Sequence, residues 1–350
     1  MKWVFWFLFG FYALLSCVRK PKPEDSKPQP SYTGLYVLNE GQWTLSNASL
    51  DVWSSAGTYY EDVYRAVNGH PLGDVANHWL READTLWIVL NASRLLRRIR
   101  LPSLREEYTL AFPASASPRE FLRISSSKAY VNSLTDGTVY RLDPTVGRLT
   151  PPHIPIENFA ESMLLWEGKV WITCGNYAYP ARNDKLACID PISDTVQFYL
   201  TLPRENPGPL VALPNGEILV GCRGNYADLK GMLVHVDPRT GSLTRAVDLL
   251  TSVYRLQRYG EEIYMLTDSG VSRYDWRRGE VDYAFFSRGR LGVPPHELIY
   301  GFHYDSLTGT WLIANAKAGG VRGELLVLQQ GEEKRVFRAG VFPSRILRYP

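Results

Sequence analysis

The repeat that decides the fold is clearest in AYVNSLTDGTVYRLDPTVGRLT, residues 129–150. Two apolar strands, at 129–133 and 138–143, flank a short turn, and an Asp-Pro turn with Gly147 then leads to a further strand. Asp can accept backbone hydrogen bonds, Pro fixes φ, and Gly can adopt a positive φ, so this turn is a tight strand connection. The unit therefore predicts antiparallel strands joined by short turns.

The first strand of this unit recurs along the chain at intervals of 41–51 residues. Its seven copies are LYVLN at 35–39, LWIVLN at 86–91, AYVNS at 129–133, VWITC at 170–174, ILVGC at 218–222, IYMLT at 263–267 and WLIAN at 311–315. Units of this length match four strands plus their connections, which is one blade of a β-propeller. The sequence predicts an all-β, seven-bladed β-propeller.

The end of the chain predicts how the ring closes. A shorter apolar segment precedes the repeated strand in later units, as in EFLRI at 120–124 and LIYGF at 298–302. No room for such a segment exists before Leu35, whereas SRILRY at 344–349 has no partner within its own unit. We expect this C-terminal segment to complete blade one as its innermost strand.

The Asp turn recurs after the second strand of several units, and we interpret these Asp residues as structural. They occur in Asp143-Pro144, Asp190-Pro191, Asp237-Pro238 and Asp275-Trp276. None of them is assigned to catalysis.

Composition excludes several classes of protein. The 350 residues include 28 Gly and 23 Pro, too many turn formers for a helical bundle. The formal net charge is only +3, which argues against a nucleic-acid partner. Four Cys and six scattered His match neither a disulfide framework nor metal-ligand spacing. No nucleophile elbow or phosphate loop is present, so no catalytic residue, metal or cofactor is predicted.

The N-terminal segment predicts export and lipidation. Residues 1–17 combine Lys2, an apolar run too short to span a bilayer, and Leu14-Leu15-Ser16 directly before Cys17, which is a bacterial lipobox. An ordinary secretory signal with an accidental Cys is the alternative. Residues 18–33 are Pro-rich and charged and predict a flexible tether, and residues 34–350 form the propeller domain.

A family resemblance is carried by LYVLNEGQW at 35–43, SNASLDVW at 46–53, VNGHPLGDVAN at 67–77 and SPREFLRISSSKAYV at 117–131. These segments resemble the N-terminal blades of the YncE-like, YVTN-type propeller lipoproteins of Bacteroidetes. The group includes BtuG-like surface lipoproteins, which capture corrinoids and pass vitamin B12 to an outer-membrane transporter. The resemblance implies such a role here.

Propeller topology places the candidate ligand-binding residues. Loops between second and third strands share one face with the connections between blades, and the central channel opens there. The aromatic and cationic candidates in these loops are Trp43, Tyr177, Tyr179, Arg182, Arg223, Tyr226 and Arg322. The candidates at the channel mouth are Asp74, Arg119, Glu161 and Glu297. Flat aromatic rings and guanidinium donors suit a large ring system that carries amide and phosphate groups.

The sequence thus predicts a lipid-anchored envelope protein that captures a corrinoid or similar nutrient for a TonB-dependent transporter. We expect it at the outer membrane, on the cell surface in preference to the periplasmic face. Two alternatives remain: a surface scaffold that binds another protein, and a propeller enzyme of lactonase or quinoprotein type. In such enzymes channel-mouth Glu and Asn residues hold calcium, and Glu161 and Glu297 begin blades where those ligands would lie.

The three internal cysteines are interpreted as core residues. We place Ile172 opposite Ile189, by analogy with Val131 opposite Leu142 in the preceding blade. Cys188 would then face Thr173, on the opposite side of the sheet from Cys174, which makes a disulfide between them unfavourable.

Overall fold

The structure, a computed structural model, describes residues 32–175, 183–225, 227–329 and 333–350. Within these ranges the strands form seven antiparallel sheets. Each sheet is one blade of a propeller, which confirms the predicted fold. None of the helices in the described ranges has the length and apolar character needed to cross a bilayer.

The seven blades have the same strand order from the centre outward. Blade 1 contains, from its innermost strand, β29 (Pro343–Tyr349), β1 (Gly34–Asn39), β2 (Ser49–Ser54) and β3 (Tyr59–Tyr60). Blade 2 contains β4 (Ala76–Glu82), β5 (Thr85–Leu90), β6 (Leu95–Arg100) and β7 (Arg105–Ala111). Blade 3 contains β8 (Pro118–Arg123), β9 (Ala129–Ser133), β10 (Thr138–Asp143) and β11 (Arg148–Leu149), with β12 (Ile154–Pro155) also on β10. Blade 4 contains β13 (Ala160–Trp166), β14 (Lys169–Cys174), β15 (Lys185–Asp190) and β16 (Thr195–Thr201). Blade 5 contains β17 (Pro207–Ala212), β18 (Ile218–Cys222), β19 (Met232–Asp237) and β20 (Ser242–Asp248). Blade 6 contains β21 (Val253–Tyr259), β22 (Glu262–Thr267), β23 (Gly270–Asp275) and β24 (Glu280–Ser287). Blade 7 contains β25 (Ile299–Asp305), β26 (Thr310–Asn315), β27 (Arg322–Gln329) and β28 (Glu333–Val341).

Two short helices lie in the connections between blades. Helix α1 (Val63–Asn68) follows blade 1 and α2 (Arg288–Leu291) follows blade 6.

The ring closes through the C-terminal strand, as predicted. Strand β29 pairs antiparallel with β1, and Tyr36 lies opposite Leu347. At the centre β29 also approaches blade 7 so closely that a Cβ on Gly301 would lie 2.3 Å from the Ser344 carbonyl oxygen. Gly301 is therefore required at this point, because any larger residue would push β25 away from β29.

The apolar core lies between the blades. Each pair of neighbouring blades encloses one cluster of buried side chains, and the last of these joins blade 7 to blade 1. In β14, for example, Trp171 packs towards blade 5 while Ile172 packs towards blade 3. Both faces of a second strand are thus buried, which explains why the repeated strands are apolar without interruption.

The Asp turns have the structural role that was predicted. The Asp143 Oδ1 atom accepts a hydrogen bond from the Thr145 backbone N–H at 2.8 Å, and Asp237 accepts in the same way from Arg239 at 2.9 Å. In blade 4 the position taken elsewhere by Gly is occupied by Asp194, which has a φ of 57°. Asp tolerates this left-handed conformation better than most residues.

The cysteine register differs from the prediction by two residues. Val170, and not Ile172, lies opposite Ile189, and Cys188 lies opposite Trp171. The same shift occurs in blade 3, where Val131 pairs with Tyr140. Because a shift of two preserves the side of the sheet, the conclusion about the thiols is confirmed, and Cys174, Cys188 and Cys222 are buried and free.

Candidate functional site: the channel at the loop face

The two ends of the propeller differ in construction. Because neighbouring strands are antiparallel, the loop between the second and third strands and the connection to the next blade leave each sheet at the same end. We call this end the loop face. It includes residues 40–48, 61–75, 112–117, 249–252 and 288–298. The opposite end, which carries the Asp turns, is the turn face.

The innermost strand of every blade has a β-bulge where it starts at the loop face. The residues within these bulges are Asn77, Arg119 and Glu120, Glu161 and Ser162, Gly208 and Pro209, Tyr254, Tyr300, and Ser344. A bulge adds one residue and changes the direction of the side chains around it. Seven bulges at one level therefore direct a ring of side chains towards the channel.

Four of these strands are preceded by a residue in the left-handed conformation: Val75, Phe159, Asn206 and Phe342, with φ of 54–66°. Their carbonyl oxygens each accept the N–H of the residue that follows the second strand, for example Asn91 N to Val75 O at 2.8 Å. This conformation costs about 1–2 kcal/mol for a residue other than Gly. Such strain is concentrated at functional sites, and here it surrounds the channel mouth.

A cavity of about 610 Å³ lies at the level of the bulges. Four arginines line it: Arg119, Arg223, Arg255 and Arg345. Three glutamates also line it: Glu40, Glu120 and Glu161. The cavity lining is therefore rich in charged side chains, with one more arginine than glutamate.

Three predicted residues meet in this cavity. The Glu161 Oε1 atom accepts hydrogen bonds from the Nη2 atoms of Arg119 at 2.7 Å and Arg223 at 3.0 Å. The bulges of β8 and β13 place Arg119 and Glu161, and Arg223 directly follows β18. Arg223 is only 7% exposed, so this is a buried ion-pair cluster and not a set of solvated charges.

The other two glutamates are held by neutral donors. The Tyr300 hydroxyl donates to Glu40 Oε2 at 2.9 Å, and Asn77 Nδ2 donates to Oε1 at 3.1 Å. Glu120 accepts from the Met163 backbone N–H at 2.8 Å and from the Ser162 hydroxyl at 3.1 Å. Burial raises the pKa of both carboxyl groups above their usual range.

A neutral imidazole completes the wall. His78 accepts a hydrogen bond at Nδ1 from the Phe121 backbone N–H at 3.4 Å. Burial, reinforced by the charges of Arg345, Arg255 and Arg119, lowers its pKa well below the usual value. The proton of this ring therefore lies on Nε2.

Two predicted mouth residues lie outside the cavity lining. The Asp74 carboxylate is buried and accepts the Thr44 backbone N–H at 2.7 Å, which fixes a loop. Glu297 accepts Asn315 Nδ2 at 2.6 Å and lies 3.6 Å from Lys317 Nζ. Both residues precede the first residue of an innermost strand by two positions, whereas Arg119 and Glu161, which line the cavity, directly follow that first residue.

The predicted loop residues are only partly described. Trp43 is 65% exposed on the loop face. Arg322 pairs with Glu61, with a distance of 2.8 Å from Nη1 to Oε2, and does not line the cavity. The remaining candidates lie outside the described residues: Cys17, Tyr177, Tyr179, Arg182 and Tyr226.

Arg255 and Arg345 also line the cavity, although neither was predicted from the sequence as a site residue. Both are polar residues at the start of an apolar innermost strand, within VYRLQ and SRILRY. A cationic residue in a segment expected to pack at the centre of a ring was the available signal. The apolar residues around it, which indicate strand pairing and ring closure, outweigh that signal in the sequence.

The calcium interpretation has no matching site in the described part of the chain. No group of three or more His, Cys, Asp or Glu residues there could hold a metal ion. Glu161 instead binds two arginines, and Glu297 binds an amide and an ammonium group.

Comparisons with known proteins show the fold. No protein-family model and no curated protein matches the sequence. A quinoprotein alcohol dehydrogenase-like protein from Bacteroides thetaiotaomicron superposes with a TM-score of 0.68 and 14% identity, covering 91% of this chain and 78% of that one. Streptogramin B lyase gives 0.60 and 10%, covering 89% and 90%, and virginiamycin B lyase from Staphylococcus aureus gives 0.57 and 12%, covering 83% and 94%. The chain is a seven-bladed β-propeller whose structural neighbours include propellers named for enzymes.

Proposed function

We propose that this protein is a lipid-anchored binding protein of the outer membrane that captures a corrinoid or a similar large nutrient at the loop face. It would deliver the ligand to a TonB-dependent transporter. The observation that carries the proposal is the polar cavity at the loop face, because its opening is bordered by exposed apolar side chains. Tyr254 and Leu298 line the cavity and are 36% and 39% exposed.

Further apolar side chains are exposed on other segments of the loop face. Trp43, Val321 and Leu250 are 65%, 54% and 76% exposed. Exposed apolar groups around a polar recess suit a ligand with a flat body and polar substituents. A corrinoid ring would rest on the loop face while a polar substituent enters the channel.

The binding test uses calorimetry with cyanocobalamin and two matched variants. Trp43→Ala should weaken binding by tenfold or more, since a truncated aromatic contact in a binding site costs about 1–3 kcal/mol. Ile192→Ala is the control, because Ile192 is 89% exposed on the turn face. The double variant Tyr177→Ala, Tyr226→Ala should also bind more weakly.

Absence of heat and of thermal protection with several corrinoids would refute the ligand. Equal binding by the Trp43 variant, or equal loss in the Ile192 control, would show that the ligand does not use the loop face. Co-purification with an outer-membrane barrel without any small molecule would favour the scaffold alternative.

The anchoring part of the proposal rests on Leu14-Leu15-Ser16-Cys17. Replacing Cys17 with Ser removes the thiol to which the diacylglyceryl group would be attached. We expect metabolic labelling with palmitate to mark the natural chain and not the Cys17→Ser variant. Label retained by the variant would contradict lipidation at this residue.

A further inference from the structure

Only two of the four arginines in the cavity form ion pairs with the described residues. Glu161 takes both Arg119 and Arg223, and Glu40 and Glu120 are held by hydroxyl, amide and backbone donors. The other two arginines, Arg255 on β21 and Arg345 on β29, form no ion pair with any described residue. They project into the same cavity from non-adjacent innermost strands.

The few hydrogen bonds of these two arginines leave buried N–H groups unused. Arg255 Nε donates to the Tyr300 carbonyl oxygen at 3.1 Å, and Arg345 Nη2 donates to the Asn77 carbonyl oxygen at 3.4 Å. Arg255 Nη1 and Arg345 Nε are buried and have no hydrogen-bond partner within the described residues. A buried cationic donor without a partner is costly, so each such group in a native structure calls for an explanation.

The Arg255 guanidinium also repels that of Arg345. Burial lowers the pKa of both, and for Arg345 the neighbouring Arg255 adds to this effect and brings the pKa to about 9. Glu40 and Glu120 oppose the shift without cancelling it. An anion placed between the arginines would relieve the repulsion and would offer acceptor oxygens to the guanidinium groups that line the cavity.

We propose that the channel is an anion site, in which Arg255 and Arg345 together bind a phosphate, sulfate or carboxylate group. Guanidinium groups match the geometry of these oxyanions, which offer several acceptor oxygens at once. The Nε2–H of His78 is a further donor on the cavity wall, and the Tyr300 ring packs beside Arg255. The group can be a free inorganic anion or the anionic part of a larger molecule. The site does not depend on corrinoid capture.

The test measures thermal unfolding of the purified chain with millimolar sulfate, with chloride replacing it at constant ionic strength. We expect sulfate to raise the melting temperature, because a ligand that binds only the folded state stabilises it. Arg345→Gln and Arg255→Gln should each weaken sulfate binding by about tenfold or more. Arg278→Gln is the matched control, since its side chain is 74% exposed on the turn face.

The variants also separate binding from folding. Circular dichroism of the Arg345→Gln variant checks that this variant still folds. If it does not fold, the sulfate response of the Arg255→Gln variant tests the anion site, because Arg255 lies outside the closing strand. Removing a repelled cation should leave the anion-free melting temperature unchanged or higher. The proposal is overturned if sulfate does not protect the natural chain, or if both channel variants respond to sulfate as the Arg278 control does.

A second arm distinguishes the source of the anionic group. If the group belongs to a larger ligand, sulfate should compete with cyanocobalamin, and Arg345→Gln should weaken both. If the site takes a free anion, sulfate protects the chain and leaves cobalamin heats unchanged. Cobalamin binding without any effect of sulfate would refute the anion site and leave the proposed function standing.

Discussion

The turn face and the loop face of this propeller are built from the same strands yet follow different rules. On the turn face the connections are short and alike, with an Asp carboxylate accepting backbone N–H groups in blades 3 to 6. On the loop face they range from the single residue 342 to the fifteen residues 61–75. Repetition therefore marks the scaffold, and departure from repetition marks the candidate site.

The two faces also differ in how they treat charge. On the turn face Asp143, Asp190, Asp237 and Asp275 are hydrogen-bonded at the surface, and donors from their own turns lower their pKa values. In the channel at the loop face, burial raises the pKa of Glu40 and Glu120 and lowers that of Arg345. One face stabilises the charged form of its groups, whereas the other holds charges where they are unfavourable. Such an arrangement is typical of binding sites.

The largest expected effect on stability comes from removing β29, the strand that closes the ring. Deleting residues 342–350 removes β29, exposes the edge of β1, and takes Ile346 out of the core cluster between blades 7 and 1. Each fully buried apolar side chain contributes about 1.5–3 kcal/mol, so we expect loss of cooperative unfolding or a severe drop in melting temperature. Thermal circular dichroism measures this.

Deletion of Pro350 alone is the control, because that residue is exposed and lies beyond β29. An unchanged melting temperature in the longer deletion would mean that the ring does not depend on this closure.

The fold was predictable because each blade buries both faces of its second strand. Because both faces are buried, an uninterrupted apolar segment occurs in the sequence seven times. The SRILRY segment, which has no partner within its own unit, then indicates the closing strand. The register within a blade was not predictable to the residue. The register depends on the length of the hairpin, and the register predicted at Ile189 was wrong by two residues.

The candidate site was predicted only in part, and the bulges explain why. Of the candidates predicted from the sequence, Arg119, Glu161 and Arg223 line the channel cavity, whereas Asp74 and Glu297 do not. Arg119, Glu161, Asp74 and Glu297 come from corresponding connections between blades, yet a difference of a few positions decides whether a side chain lines the channel or fixes a loop. A bulge at a strand start leaves no pattern in a single sequence, so this distinction could not be drawn.

The smallest expected effect contrasts one glycine on each face of blade 6. Gly279 lies in the Asp275 turn with a φ of 79°, and the nearest atom to an added Cβ would be 3.5 Å away. Gly279→Ala should therefore cost about 1–2 kcal/mol through backbone conformation alone. Gly289 lies in α2 at the loop face, where a Cβ would meet nothing within 4 Å and φ is not positive. Gly289→Ala should leave stability unchanged or raise it slightly, because Ala favours a helix more than Gly does.

Urea unfolding curves give the free energy of unfolding of both variants. Equal effects in the two variants would mean that the turn face does not depend on its left-handed glycines, and any change in the sulfate response of the Gly279 variant would mean that the two faces are not independent.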